Sequence, residues 1–305
     1  MKLILFHPQS LFCAWAVSTG LGDALARLGH HVTVCPINAT LPSIDKARYP
    51  SFKELQQAEG IIVSGPEHIN KHILALYQDW ESLTTPKVAW MHETVSREDY
   101  GKKLSPSGFR RFVKNTFCSA VQDEEYGFRW LPFGVDTEVF KPNWGQPKQW
   151  DVAFIGYLYP KRREFLDRVL PHLNGINLIC GNVQVQDLDG VNLRMTAALY
   201  ADTLRKIKVF VNFPSLTEVL VTKVTEAQAC GTFLVTPTMH HQRNNEGIQA
   251  RFYDPEKPET LAEGIRMALE HEQEREQAAR LCCEQVHRLH KLEYRCEVLL
   301  EAMKN

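Results

Sequence analysis

The sequence predicts an α/β protein made of two doubly wound halves, and three observations carry that expectation. At 305 residues the chain is about twice the usual domain length of roughly 150. Short, continuous, β-branched-rich apolar runs alternate with longer amphipathic stretches, the pattern of parallel strands covered by helices on both faces. Near the middle, Lys141-Pro142-Asn143-Trp144-Gly145-Gln146-Pro147 breaks the periodicity with Pro and Gly and marks a join.

In the first half, residues 3–6, 31–36, 60–64, 87–92 and 118–121 read as strands. In the second half the strands are 151–156, 176–181, 209–213 and 232–236. Helical periodicity covers 17–28, 69–80, 162–172, 197–206, 222–229 and 258–271. The tail, 274–303, reads as one long helix with Leu281, Val286, Leu289, Leu292, Cys296 and Leu299 on a single stripe, and the charge run 270–280 as its solvated face. The expected division is a first Rossmann-like domain over 1–142, a second over 143–285, and a final helix, 286–305, packing back on the first.

Composition narrows the function. Hydrophobic residues make up 44% and charged residues 23%, the balance of a globular protein with a sizeable core. Lys+Arg number 35 against 36 Asp+Glu, for a net charge of -1. That excludes a dedicated nucleic-acid protein, which needs a basic excess or a basic face. No apolar run approaches the roughly 18 residues of a membrane span, and the apolar residues before His7 are too few for a signal-peptide core. The eight cysteines form no C-x-x-C pair and mostly lie in apolar runs, as buried thiols of a reducing cytosol do. The expected localisation is cytoplasmic, and no zinc site is supported.

The strongest chemical signal runs from Asn212 to Thr232. A buried strand ends at Phe213, a loop carries Glu218, and a helix from Thr222 carries Glu226. Ligands of open α/β sheets bind beyond the carboxyl ends of strands, and a helix start suits a phosphate. A carboxylate beside a phosphate would repel it, so the two Glu residues should face neutral hydroxyls, which donate well to carboxylates. The spacing suggests an anchored sugar nucleotide, with phosphates on the helix end and hydroxyls to either side.

Here the chain resembles a known family. Glu218-x7-Glu226 followed by Ala227-Gln228-Ala229-Cys230-Gly231-Thr232 is similar to the signature of retaining GT-B glycosyltransferases, those of glycosyltransferase family 4 and the related spore-maturation-protein type. Leu21-Gly22-Asp23-Ala24-Leu25-Ala26-Arg27-Leu28-Gly29-His30-His31-Val32 resembles the family's first-helix segment. Leu131-Pro132-Phe133-Gly134-Val135-Asp136 with Phe140-Lys141-Pro142 resembles its interdomain segment, and Phe154-Ile155-Gly156-Tyr157-Leu158-Tyr159-Pro160-Lys161-Arg162-Arg163 its first second-domain strand and phosphate loop. The resemblance implies a GT-B fold, two such domains facing across a cleft with the C-terminal helix crossing back.

It also implies roles. Glu218 matches the Glu that contacts the donor sugar near the anomeric carbon, and Glu226 the Glu that binds the ribose. Leu220, Val221 and Thr222 occupy the stretch whose N–H groups hold the diphosphate. Gly156 falls at the strand end before the phosphate loop, and Gly181-Asn182 beside the nucleotide base. His92 lies where the family has a His near the sugar's hydroxymethyl or the phosphate. Two departures stand out: Val219-Leu220-Val221 replaces a common Gly-Phe-Gly, and Tyr157 replaces an Arg. Lys161 and Arg163 must then supply the cations that stabilise the departing diphosphate, with Lys223 assisting from the helix start.

The expected activity is transfer of a hexose-like sugar from a nucleoside diphosphate sugar, a UDP-sugar first, to an acceptor hydroxyl, with retention and without a metal. Three alternatives stand: an inverting transferase with His7 or Glu93 as general base, a sugar-nucleotide 2-epimerase, and a catalytically silent sugar-nucleotide-binding protein. Asp187-Leu188-Asp189 is a chance D-x-D, and His240-His241 and His287/His290 lack a third metal ligand. The basic-aromatic stretch from Lys102 to Phe117 reads as a solvated helix face over a buried Phe stripe, with contact to a phosphorylated or polymeric acceptor, even modified DNA, as its functional alternative.

Overall fold

The computed structural model describes residues 1–8, 19–37, 46–95, 106–181, 184–186, 192–194, 196–215, 220–239 and 248–304. They form two compact units, Met1–Gly134 with Leu292–Asn305, and Val135–Lys291.

The first unit contains strands β1 (Lys2–Pro8), β2 (His31–Ile37), β3 (Gly60–Ser64), β4 (Lys87–Met91), β5 (Asn115–Cys118) and β6 (Arg129–Trp130), with helices α1 (Thr19–Arg27), α2 (Phe52–Gln57), α3 (Pro66–Leu76) and α4 (Pro106–Phe112). The strands pair in parallel in the order β2-β1-β3-β4-β5-β6. Alternate residues of each strand serve opposite faces. Leu3, Leu5, Ile62, Val88 and Trp90 join one core, shared with Leu21, Leu292, Cys296 and Leu299. Ile4, Phe6, Ile61, Val63 and Ala89 join the other, with Ile69, Ile73, Trp80 and Phe112. Both faces are covered, hence the continuous apolar runs.

The second unit follows the same plan. Strands β7 (Trp150–Ile155), β8 (Leu178–Gly181), β11 (Ile207–Val211), β12 (Phe233–Pro237) and β13 (Arg251–Tyr253) pair in parallel in the order β13-β12-β11-β7-β8. β9 (Gln184–Gln186) and β10 (Asn192–Arg194) form a small antiparallel pair. The helices are α5 (Pro160–Val169), α6 (Ala197–Arg205), α7 (Thr222–Ala229), α8 (Pro258–Glu270) and α9 (Glu272–Leu289), and α10 (Leu292–Ala302) rejoins the first unit. The α/β class with two parallel sheets is the one the sequence predicts.

Several elements differ from expectation. The fifth strand is Asn115–Cys118 and does not reach residue 121, because Val121 opens a 3-10 turn (Val121–Tyr126) that buries Asp123. The expected tail helix is two helices. His290 N–H still donates to Val286 O (2.8 Å), but Val135 N–H donates to His290 O (2.8 Å) and Val135 bridges Lys291, so the His290 carbonyl is taken out of helical pairing. The single stripe fails with it: Leu281 is 53% exposed and Leu289 42%, while α9 buries Arg275, Ala279, Cys282, Cys283 and Val286. In the basic-aromatic stretch Phe109, Phe112 and Phe117 are buried and Arg111 and Lys114 exposed, while Lys102 and Lys103 lie outside the described residues. No helix among the described residues is long and apolar enough to cross a membrane.

Candidate functional site

Both sheets reverse strand order once, and ligands of open α/β sheets bind at the carboxyl edge beside such a reversal. In the second unit the chain runs from β7 outward to β8 and returns on the other side of β7 as β11. The switch point lies between β7 and β11, bordered by Gly156 on one side and by the loop into α7 on the other.

Gly156 N–H donates to Gly181 O (2.9 Å) at the end of β8. A Cβ at Gly156 would stand 2.9 Å from Phe154 Cζ and 3.0 Å from Lys223 Nζ. Glycine is what admits the Lys223 ammonium to the strand end. Lys223 Nζ lies 4.6 Å from the centroid of the Phe154 ring, and Phe154 stacks on Phe213 at 4.3 Å. Burial holds the Lys223 ammonium well below the ordinary lysine range; Arg162 pushes the same way and Glu226 opposes it.

Glu226 follows Lys223 by three positions, on the same face of α7, and is 2% exposed. Burial raises its carboxyl to about 8, against the pull of Lys223 and the Thr222 hydroxyl. Its Oε1 has no hydrogen-bond partner among the described residues. Leu220 is buried, Val221 and Thr222 are half-buried, and Val221 precedes the first helical residue without a side-chain cap. Val224 N–H donates to Val221 O (3.0 Å), which leaves the Thr222 and Lys223 N–H groups as the uncapped donors of the first turn.

Of the basic triplet, Arg162 is the buried member at 6% exposure, while Lys161 and Arg163 are exposed. Arg162 donates from Nε to Pro214 O (3.0 Å) and from Nη1 to Tyr157 O (3.0 Å), and its guanidinium stacks on Tyr159, 4.5 Å from the centroid. Tyr159 Oη also donates to Pro214 O (3.0 Å). This knot ties the loop after β7 to the loop after β11. The sequence carried a signal for it: Arg162, Phe165 and Val169, the buried side of α5, have helical spacing. Arg163 donates to Leu158 O (3.0 Å).

Glu218 and Asn182 lie outside the described residues, as do Asp187, Asp189, His240 and His241. His287 Nε2 lies 3.1 Å from Ala229 O and His290 is buried. Among the described residues, no group of three or more His, Cys, Asp or Glu is arranged to hold a metal ion.

In the first unit the switch point lies between β1 and β3. His7, near the end of β1, is 5% exposed and places Nδ1 3.1 Å from Pro8 O. Burial lowers its pKa. Ser64 ends β3, and its Oγ lies 2.9 Å from His92 Nε2. Gly65 follows with φ of 64°, turning the chain into α3; a Cβ there would meet His92 Nδ1 at 3.0 Å and Pro8 Cγ at 3.1 Å. The His92 ring thus lies on bare backbone, edge-on to Trp90 (5.8 Å) and Phe133 (5.6 Å). Burial, then the neighbouring His68 and His7, hold His92 well below the ordinary histidine range, so it is neutral at pH 7.

The turn that carries His92 rests on two acids absent from the sequence expectations. Glu67 Oε1 accepts the N–H groups of His92 (2.8 Å) and Glu93 (3.0 Å). Asp123 accepts from Thr94 Oγ1 (2.6 Å) and Val95 N–H (3.0 Å).

Residues 161–301 match the glycosyl transferase-like family model, and this stretch is a glycosyl transferase-like domain. Sucrose-phosphate synthase from Thermosynechococcus elongatus superposes with a TM-score of 0.68 at 14% identity, over 98% of this chain and 98% of that one. Anabaena HepE in complex with UDP-glucose gives 0.66 at 13%, over 99% of each chain. A UDP-forming α,α-trehalose-phosphate synthase from Burkholderia xenovorans gives 0.64 at 13%, over 100% of this chain and 99% of that one. The fold is GT-B. No curated protein matches the chain by sequence.

Proposed function

We propose that this chain, with a glycosyl transferase-like domain on a GT-B fold, transfers a hexose-like sugar from a nucleoside diphosphate donor to an acceptor hydroxyl. The reading includes retention of configuration, a UDP-sugar as first donor, no metal, and a cytoplasmic setting. The observation that carries it is the start of α7. A half-buried ammonium, Lys223, and a buried carboxyl with an unpartnered oxygen, Glu226, lie on one helix face at the second unit's switch point.

Each group has a task there. The uncapped N–H groups after Val221 and the Lys223 ammonium take the diphosphate, whose charge offsets the burial that disfavours the charged form of Lys223. Glu226 Oε1 accepts ribose hydroxyls, which satisfies the buried atom. Lys161 and Arg163, exposed at the start of α5, meet charge developing on the leaving diphosphate, while Arg162 fixes the loops around Gly156. Gly181 and Asn182 read the base. Glu218 contacts the reacting sugar, and His92 of the first unit, neutral, donates to or accepts from the sugar's hydroxymethyl. With cations and helix N–H groups at the diphosphate, a divalent ion is unnecessary. The nucleotide-sugar donor is the expected partner, and the acceptor binds the first unit. The bound UDP-glucose of HepE supports UDP as the first nucleotide to try.

A thermal-shift panel of nucleoside diphosphates and their sugars tests the binding half, since a ligand bound only by the native state raises its stability. UDP is expected to raise Tm with EDTA present, and NMR of the product from an α-linked donor is expected to show an α linkage. A β-linked product removes retention. Absence of any shift across the panel removes the nucleotide-sugar reading altogether.

A further inference from the structure

After β4, each residue from His92 to Val95 has a donor bound to protein. His92 and Glu93 N–H groups go to Glu67 Oε1, and the Thr94 hydroxyl and Val95 N–H go to the two oxygens of Asp123. Ser119 Oγ closes the other side by donating to His92 O (3.0 Å). The acids come from different elements, Glu67 from the first turn of α3 and Asp123 from the turn after β5.

Stability does not account for this arrangement. His92 and Glu93 are only half-buried, so water can serve their N–H groups at little cost, whereas a buried carboxylate loses several kcal/mol of hydration. The Glu67 side chain is 3% exposed, and its Oε2 is buried without a partner among the described residues. Burial, with the charge of Asp123 adding to it, lifts its carboxyl to about 7 in spite of the N–H groups it accepts. What the two acids achieve is position. With its backbone clamped, the His92 ring reaches Ser64 Oγ and lies against Gly65.

We propose that Glu67 is a positioning residue of the transfer centre: by accepting the His92 and Glu93 N–H groups, it holds the His92 imidazole against Ser64 at the switch point of the first unit. The proposal rests on the reading of His92 as a residue of the transferase site. Glu67 touches no substrate and acts through His92 alone.

The test is a double-mutant cycle on the full chain, with turnover of the donor found in the panel as one readout and amide hydrogen exchange as the other. Glu67→Ala is expected to lower kcat by on the order of 10- to 100-fold, the scale of a misplaced catalytic group, with nucleoside diphosphate affinity unchanged by titration. Glu67→Gln keeps an oxygen for both N–H groups and is expected to restore most of that loss. In the double variant, adding Glu67→Ala to His92→Ala is expected to cost nothing further. The His92 and Glu93 amides are expected to exchange at least about 10-fold faster in Glu67→Ala than in wild type. Losses that multiply in the double variant, or amides equally protected without Glu67, overturn the proposal on an active enzyme. An enzyme that turns over no donor overturns the functional reading and this one with it. Should the alanine variant not fold, Glu67→Asp, one methylene short of the N–H groups, replaces it in the cycle.

Discussion

The two units repeat one topology and end their strands in opposite electrostatic conditions. At the first switch point the polar groups, Glu67 Oε2 apart, are spent on one another: Ser64 on His92, Glu67 Oε1 on two backbone N–H groups, Asp123 on Thr94 and Val95. The imidazoles of His7 and His92 are neutral by burial. At the second, burial works against Lys223 and Glu226 together, toward a neutral amine and a neutral acid, and Asn212 Oδ1 and Glu226 Oε1 are buried without partners among the described residues. The first is a preset frame. Under the proposed roles the second is a site whose groups reach their best state only with a charged, hydroxyl-rich ligand in place, so its binding is linked to protons.

The sharpest break in that contrast is at the loop carboxylate. Under the proposed roles Glu218 faces the reacting sugar as positive charge develops, so Glu218→Gln should lower kcat by about 100-fold or more and leave nucleoside diphosphate affinity alone. Steady-state kinetics and calorimetric titration check the two halves. A matching loss of diphosphate affinity would show that Glu218 belongs to the nucleotide and that its role has been exchanged with that of Glu226.

Next in size is Glu226 itself. Ribose does not react, so Glu226→Ala should act in ground and transition states alike, raising donor KM. Loss of charge-assisted hydrogen bonds costs about 1.5–3 kcal/mol, or roughly 10- to 150-fold in affinity. The pH dependence has a definite sign. The acid titrates at about 8 in the free protein, and the form that accepts two hydroxyls is ionised. Ionisation of Glu226 should therefore add a rise in affinity up to about pH 8, against the fall that loss of the Lys223 proton contributes, and that rise should be absent from Glu226→Gln. A wild-type curve that superposes on the Gln curve would dissociate this carboxyl from the ligand.

Much of this was legible in the sequence, for reasons that differ by element. Parallel strands buried on both faces leave continuous apolar runs, so β1, β3, β4, β7 and β11 were visible. The short β6, β9, β10 and β13 leave too few residues to show a period. The tail misled because its break at 290–291 is imposed by pairing with Val135, a partner far away in sequence. Of the proposed site, Glu226 and Gly156 are the residues the family resemblance picks out. Arg162 was passed over for its neighbours Lys161 and Arg163 because an arginine on a buried helix face reads as polar until its stacking on Tyr159 is seen. Glu67 was illegible in principle. An acid in the first turn of a helix is ordinary, and its partners are backbone groups 25 and 26 residues on.

A smaller effect tests whether Lys223 reaches the strand end by the space glycine leaves. Gly156→Ala puts a methyl 3.0 Å from Lys223 Nζ and 2.9 Å from Phe154 Cζ. The flexible ammonium should yield before the stacked ring does. The expected result is a several-fold loss of UDP affinity with a stability cost of about 1–3 kcal/mol, typical of overpacking. Calorimetry and urea unfolding separate the two. Unchanged affinity with lost stability would place the methyl against Phe154 alone and take Lys223 out of the diphosphate site.

The smallest effect on turnover belongs to His7, and it decides the stereochemical reading. A general base must present an unprotonated nitrogen to the acceptor hydroxyl within hydrogen-bond reach. The His7 ring is neutral, as a base requires, but it is 5% exposed and its Nδ1 lies against Pro8 O. If that nitrogen carries the proton and donates to the carbonyl, Nε2 holds the lone pair, so chemistry alone does not disqualify it. Retention does, since it needs no base on the acceptor's far side. His7→Ala should then keep most of wild-type kcat and show mainly a packing loss at the end of β1. If His7 deprotonates the acceptor, the same change should remove nearly all turnover while UDP still binds, and the product of an α-linked donor should be β-linked. The two readouts are independent and must agree. Near-complete loss of turnover with a β-linked product would transfer the catalytic centre to the β1 edge and leave Glu218 a binding group.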